Sequence, residues 1–227
     1  MPRKARFFVS DGVYHILSRG HNRRKVFYDN RDFLKLTKIL QLEKAKRRWQ
    51  IYNYGFMGNH VHMVIMSPQG IDLSNGMKNL NQTYAQYFRK RYGGIGYIWQ
   101  NRFKSFIIQN GIYLLRCGRY VELNPVNAGI VRNPEGYKWS SYRFYAFGED
   151  DPLLTFNPEY LALADNFEDR QSAYMKFVSE GQGEKRTLDR YFKSGAWGDE
   201  DFVKEMKAKG LKSVSWKIGR PKKCADK

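Results

Sequence analysis

Two apolar runs of eight residues follow one another in the chain with only Gly58 and Asn59 between them. The runs are QIYNYGFM (50–57) and HVHMVIMS (60–67), and both contain the β-branched and aromatic residues that strands favour. A Gly-Asn pair between two such runs is typical of a tight turn. The sequence therefore predicts an antiparallel hairpin, and this hairpin is the fixed point from which the flanking segments can be placed.

One strand and one helix are predicted before the hairpin, and one of each after it. The stretches VYHILSR (13–19) and RFKSFII (102–108) have strand character. Residues 31–49 repeat apolar residues at near-helical spacing, and so do residues 73–92, where Gly93 and Gly94 are expected to end the helix.

A third predicted helix, GIYLLRCGRYVELN (111–124), follows the last strand. Asn110 is expected to cap it, and Pro125 is expected to stop it. The order strand–helix–strand–strand–helix–strand is that of the split βαβ, or ferredoxin-like, fold of the α+β class. Two helices would then cover one face of an antiparallel sheet and leave the other face free for chemistry or nucleic acid.

The net charge of +18 is confined to one part of the chain. Residues 1–148 hold 25 Lys and Arg against 7 Asp and Glu, whereas residues 149–227 hold 15 of each kind. We therefore interpret residues 1–148 as the catalytic or binding domain and residues 149–227 as a partly helical extension with a mobile basic end. A field of this sign attracts phosphate backbones, although a solubility charge on an ordinary enzyme is the alternative.

Cysteine content and hydropathy restrict the compartment. Cys117 and Cys224 are far apart in the sequence and predict neither a disulfide framework nor a thiol metal site. No run is apolar and long enough for a membrane span, and no signal-peptide pattern follows Met1. We expect a cytoplasmic protein without a membrane partner.

His60 and His62 lie two residues apart in the second strand of the hairpin. Residues two apart project from the same face of a strand, so the two imidazoles are predicted to lie close enough to share a divalent ion. Two ligands do not complete a metal shell, but a site that also holds phosphate oxygens keeps open positions. Two partly buried histidines bonded to their neighbours are the alternative.

Tyr120 and Asn124 are four apart in the third predicted helix and share one of its faces. A phenol beside a metal can attack phosphorus, and an amide oxygen one turn further on can complete the metal shell. A tyrosine at helical spacing is more often a packing residue, and Pro125 disfavours helical geometry at Asn124.

Aromatic and basic residues alternate in the segment YGGIGYIWQNRFK (92–104). This pattern suits single-stranded nucleic acid, which binds by base stacking and backbone charge. Trp99 could instead anchor the last strand in the core, as could Phe103. A second basic cluster follows the first strand. The predicted DNA-binding residues are Arg19, Arg23, Arg24, Lys25, Tyr97, Trp99, Arg102 and Lys104.

Four ordered motifs, SRGHNRRKVF, MGNHVHMVI, WQNRFKS and YVELNPVNAGIV, resemble those of the HUH single-tyrosine transposases, in particular the branch associated with repetitive extragenic palindromes (REP). The resemblance covers roughly residues 5–147. It implies nicking and rejoining of single-stranded DNA beside hairpins, with Mg²⁺ or Mn²⁺ bound by His60 and His62. It also implies that Tyr120 forms a 5′-phosphotyrosine and that Asn124 lies where relatives carry a third polar ligand.

Two other functions fit parts of the same pattern. A non-catalytic nucleic-acid-binding module would need the sheet, the charge and the aromatic residues but not the set His60, His62 and Tyr120. A metal-dependent hydrolase would use the histidines without Tyr120. The sequence leaves the oligomeric state open between a monomer and a homodimer.

Overall fold

The computed structural model describes residues 6–181 and 194–212. Its first part confirms the predicted order of elements. The strands and helices of this part are β1 (Gly12–Arg19), α1 (Asn30–Arg47), β2 (Gln50–Met57), β3 (His60–Ser67), α2 (Gly70–Tyr92), β4 (Lys104–Ile108) and α3 (Ile112–Asn127). Helix α4 (Tyr142–Phe147) ends this part, and the extension adds α5 (Pro158–Leu161), α6 (Phe167–Glu180), β5 (Ala196–Trp197) and α7 (Glu200–Ala208). The predicted basic end lies outside the described residues.

The five strands form one sheet in the order β2-β3-β1-β4-β5. The first four are antiparallel to their neighbours, and the β2–β3 hairpin turns at Gly58 and Asn59 as predicted. The ferredoxin-like fold is therefore confirmed. The short strand β5 pairs in parallel with β4 and was not predicted.

The two faces of the sheet are both covered. Val61, Met63 and Ile65 of β3 lie in the main core together with α1 and α2. On the opposite face, Val64 packs with Val121 and other apolar residues of α3. The expectation of a free face is thus wrong for much of the sheet, because α3 has an apolar side of its own that must also be buried.

Helix α3 differs from its prediction at both ends. Its N-cap is Gly111 with φ of 78°, a left-handed conformation that favours glycine, and Asn110 makes no capping bond. At the other end the helix continues through Pro125 to Asn127. Proline lacks the N–H that would bond to the carbonyl of Val121, and the side-chain amide of Asn124 donates to that oxygen instead at 3.4 Å.

Helix α4 and the extension pack together on the far side of α3. Leu115 and Leu123 of this helix share a buried cluster with Tyr145 of α4, Tyr160 of α5 and Tyr174 of α6. The helix that carries Tyr120 is therefore held between the sheet and the extension. Across the described residues, no helix has both the length and the apolar character needed to cross a membrane.

Helix α3 approaches β2 closely at Gly55. A Cβ at this position would lie 2.8 Å from the carbonyl oxygen of Val121, which is closer than atoms of this kind normally come. Glycine at position 55 therefore sets the distance between the helix and the sheet.

We predict that Gly55→Ala lowers the free energy of unfolding by about 1–3 kcal/mol, because the added methyl group overpacks this contact. The measurement is urea denaturation. Gly58→Ala is the matched control, since a Cβ at Gly58 would have no atom within 4 Å. Equal losses of stability in the two variants would contradict this account of the helix position.

Candidate active site

His60 and His62 lie together on the α3 side of the sheet, as predicted. Their ring centroids are 4.9 Å apart and the rings are nearly perpendicular. Nδ1 of His60 is 2.5 Å from Oδ1 of Asn59, and Nδ1 of His62 is 2.8 Å from Nε2 of His15. With each Nδ1 engaged in this way, Nε2 of each ring is the nitrogen that remains for a metal.

His15 is a site residue that the sequence analysis did not identify. It is fully buried in β1, and its ring stacks on that of His62 with centroids 5.0 Å apart. The signal was present in VYHILSR, where His15 takes an inward position between Val13 and Leu17. A polar residue at such a position needs a partner, and the partner is the histidine on the neighbouring strand.

Burial keeps the histidines neutral. It lowers the pKa of His15 to about 3 and that of His60 to about 4, where the charge of Arg19 adds to the effect. The pKa of His62 is lowered well below its ordinary value by burial and, to a smaller extent, by the neighbouring His15, His60 and Arg19. Neutral imidazole is the form that binds a metal, so the pair is in the correct protonation state at neutral pH.

Tyr120 of α3 lies over the histidines, on the face of the sheet that α3 covers. Its half-buried ring is perpendicular to the ring of His62 at a centroid distance of 5.6 Å and to that of His15 at 5.7 Å. Trp197 of β5 flanks it at 6.3 Å. The fold therefore brings the predicted nucleophile to the predicted metal ligands within one chain.

Asn124 lies one helical turn beyond Tyr120. Its amide nitrogen donates to the carbonyl oxygen of Tyr120 at 2.7 Å, in addition to the bond that compensates for Pro125. The nitrogen is thus committed to the helix backbone, and a ligand role is left to the amide oxygen.

The donor set fits a metal ion that keeps several open positions. Within residues 6–181 and 194–212, no group of three or more His, Cys, Asp or Glu is arranged to hold a metal. His60 and His62 supply two nitrogens, and Asn124, predicted as the third ligand, would add one amide oxygen. The rest of the shell would consist of water and phosphate oxygens, which Mg²⁺ and Mn²⁺ prefer.

Arg19 and Lys104 lie beside the histidine pair. Arg19 faces His60 across the β1–β3 ladder, and Lys104 is paired with Leu17 of β1 on the same side of the sheet. The proximity is electrostatic as well, since the charge of Arg19 lowers the pKa of Lys104 in addition to the effect of burial. Both cations add positive charge beside the histidine pair.

The other residues of the basic cluster that was predicted after the first strand occupy the loop after β1. This loop is held on the hairpin turn, because Asn59 donates to the carbonyl of Arg23 at 3.1 Å. Arg23 and Lys25 are exposed beside the turn. Arg24 points elsewhere, with its guanidinium over the ring of Phe88 on α2.

The structure separates three of the predicted DNA-binding residues, Tyr97, Trp99 and Arg102, from the histidines. Trp99 is only 8% exposed, and its indole N–H donates to the carbonyl of Asn81. Because the ring is buried, it is not available to stack on a base, and Trp99 instead takes the alternative role of a core anchor. Phe103 is buried in the same way, whereas Tyr97 is 77% exposed. Arg102 is exposed on the α2 side.

A buried carboxyl group anchors the tyrosine helix. Oε1 of Glu122 accepts hydrogen bonds from Ser141 at 2.5 Å and Asn53 at 3.0 Å, and Oε2 accepts one from Tyr174 at 2.7 Å. These bonds connect α3 to β2, to the start of α4 and to α6. Burial raises the pKa of Glu122 to about 7, although the hydrogen bonds oppose this shift. Sequence reasoning assigned Glu122 no role.

Comparisons with known proteins point to one family. A family model described as transposase IS200-like matches residues 8–124, just over half of the chain. A solved REP-associated tyrosine transposase bound to a REP hairpin is similar in structure, with a TM-score of 0.56 at 22% identity over 68% of this chain and 92% of that chain. This likeness shows a shared fold.

Two other solved structures are less similar. A putative transposase from Deinococcus radiodurans R1 has a TM-score of 0.37 at 17% identity over 60% of this chain and 97% of that one. A tRNA(His) guanylyltransferase from Saccharomyces cerevisiae has a TM-score of 0.40 at 10% identity, with coverages of 78% and 81%. No curated protein matches the chain significantly.

The anchor of α3 predicts a pH dependence of stability. Because the pKa of Glu122 is about 7 in the folded protein and near 4.5 when unfolded, the folded state binds more protons between these values. The free energy of unfolding of the wild type, relative to Glu122→Gln, should therefore fall as pH rises through this window, by at most about 1.4 kcal/mol per pH unit.

Urea denaturation of both proteins across this pH range measures the effect. The histidines contribute a slope of the opposite sign, but they contribute it to both proteins, so the difference isolates Glu122. A difference in stability that is constant with pH would contradict the assignment.

Proposed function

The chain belongs to the IS200-like transposase family, and on that basis we propose that it cuts and rejoins single-stranded DNA beside hairpins of the REP type. The observation that carries this proposal is the contact between Tyr120 and His62, whose ring also contacts His60, because nucleic-acid binding alone requires neither the phenol nor the histidine pair. The hairpin is supported by the similar solved structure, which is of a transposase bound to a REP hairpin.

In the proposed reaction, Tyr120 attacks the scissile phosphate. A bond forms between the phenolic oxygen and phosphorus, and the bond from phosphorus to the 3′ oxygen breaks. Tyr120 loses its proton and the leaving 3′ oxygen gains one, so the products are a free 3′-hydroxyl and a 5′-phosphotyrosine. The covalent link conserves the energy of the cut bond, and a second 3′-hydroxyl can then attack it to rejoin the DNA.

His60 and His62, with the amide oxygen of Asn124, would hold Mg²⁺ or Mn²⁺. When bound there, the ion supplies positive charge against the charge that builds up on the phosphate. With Nε2 of His62 on the metal, Nδ1 of His62 would carry the proton and donate the 2.8 Å hydrogen bond to Nε2 of His15, so His15 would fix the ring and leave Nε2 of His62 directed away from β1.

Basic side chains hold the DNA on both sides of the proposed metal site. Arg19 and Lys104 flank the histidines on the sheet, and Arg23 and Lys25 stand on the adjoining loop. The excess of positive charge over residues 1–148 draws a phosphate backbone toward this domain.

We also infer that one chain carries a complete site. The tyrosine helix α3 packs against the histidine strand of the same chain, and Glu122 fixes it there through three hydrogen bonds. This arrangement supports cleavage in cis by Tyr120 without exchange of the helix between two subunits.

We predict that Tyr120→Phe abolishes the covalent protein–DNA product, with a loss on the order of 10⁴-fold or more in cleavage, while hairpin binding is retained. The measurement is a denaturing gel of a labelled pool of DNA hairpins with unpaired flanks, incubated with protein and Mn²⁺. Tyr113→Phe, which removes a hydroxyl from the same helix, is the matched control.

The outcomes of this gel distinguish the three functions. A protease-sensitive DNA band that is lost only in Tyr120→Phe supports the transposase reaction. Cleavage at the wild-type rate in Tyr120→Phe, without a covalent band, would indicate a hydrolase. Hairpins that shift on a native gel but are never cut would indicate a binding module.

We predict that His15→Leu raises the Mn²⁺ concentration needed for half-maximal cleavage by about 10- to 100-fold, because His62 loses the acceptor that orients it. His15→Gln keeps an acceptor and should lose less. The double variant His60→Ala/His62→Ala should lose metal-stimulated cleavage and keep DNA binding. A metal requirement unchanged in folded His15→Leu would contradict the positioning role.

A further inference from the structure

A cleft of about 760 Å³ lies between α2 and the segment 97–103, on the face of the sheet that α1 and α2 cover. The buried residues of α2 share the main core with Val61 and Met63, which point away from the face that carries His62. The cleft is therefore a separate site from the one formed by the histidines and Tyr120.

The charge of the cleft suits a phosphate backbone. Its cations are Arg6, Lys78, Arg89 and Arg102, and none of the described residues that line it is Asp or Glu. The guanidinium of Arg6 is held in place, 3.7 Å above the ring of Phe103, by bonds to the carbonyl of Phe103 and to Ser74. Burial and the nearby charge of Arg102 lower the pKa of Arg6 to about 10, so an anion placed here would relieve repulsion between two cations.

The remaining polar lining suits bases. Six side chains are Asn or Gln, and amides of this kind pair with base edges because they carry donors and an acceptor side by side. Gln82 and Gln86 lie one turn apart on the exposed face of α2. The exposed ring of Tyr97 lies 6.5 Å from the ring of His21 at the cleft, where it can stack on a base.

The cleft is connected to the candidate active site through the backbone. The N–H of Gln100 donates to the carbonyl of Arg19 at 2.8 Å, and Arg19 pairs with His60 in the sheet. The N–H of His21 similarly donates to the carbonyl of Ile98 at 2.8 Å. A single strand of DNA that passes the histidines at the end of β1 can thus continue around the edge of the sheet into the cleft.

We propose that the cleft holds the unpaired bases that flank the cleavage site and reads them with the amides of α2, so that it selects the DNA sequence to be cut. This inference rests on the proposed function. The concave shape suits unpaired bases, because paired bases are read by convex elements that enter a groove, whereas this surface would receive bases already extruded.

The test is a binding selection without metal, which requires no cleavage. DNA hairpins with randomised unpaired flanks are bound to the protein, and the bound fraction is sequenced. The wild type should enrich particular flank bases, and Lys78→Ala/Gln82→Ala should lose about 10-fold of this enrichment. Lys38→Ala/Gln41→Ala removes the same two residue types from α1 and should keep it, provided that thermal melts show both variants folded.

The proposal is overturned if the cleft variant selects the same flank bases as the α1 variant, or if the wild type selects none. An equal loss of affinity for hairpins with and without flanks would also overturn it, because that result indicates general charge attraction. Failure here is separable from failure of the proposed reaction. If the wild type forms the covalent product but the cleft variant selects the same flank bases, only the proposal for the cleft is wrong. If the cleft variant changes the selection but the wild type forms no covalent product, only the proposed cleavage reaction is wrong.

Discussion

The register of the antiparallel pair β1–β3 is the constraint on which the rest of the site depends. It sets Arg19 opposite His60 and brings His15 within hydrogen-bond distance of His62. A slip of one residue would turn every side chain of β3 to the other face and send the histidines into the core beneath α1 and α2. The apolar residues Val61 and Met63 prevent this, because they need that core as much as the histidines need the opposite face.

The position of Tyr120 depends on a different set of contacts. Helix α3 can approach the sheet closely because Gly55 has no side chain, and it is fixed by the hydrogen bonds of Glu122 to β2 and to the extension. A buried carboxyl group is costly unless its oxygens are bonded, so this arrangement tolerates few alternative packings. The extension after residue 148 is thereby part of what holds Tyr120 in place.

The two sides of the sheet carry different parts of the proposed DNA chemistry. The α3 side combines neutral imidazoles, a phenol and the cations Arg19 and Lys104, which suits a phosphate under attack. The α2 side combines cations with amides, which suits bases. Because the end of β1 connects them, a single strand of DNA could contact both, and the separation of Tyr97 and Arg102 from the histidines then has a functional reason.

The local pattern of the sequence was sufficient for the first four strands, the first three helices, the hairpin and the shared face of His60 and His62, since these depend on periodicity and turn residues. Long-range contacts decided the rest. His15 and Glu122 acquire roles only through partners distant in the chain, and Trp99 is an anchor because the core reaches it. Local rules also ended α3 too early at Pro125, since an amide one residue before it supplies the missing hydrogen bond. Periodicity fixes which way a side chain points, but the tertiary structure decides what it meets.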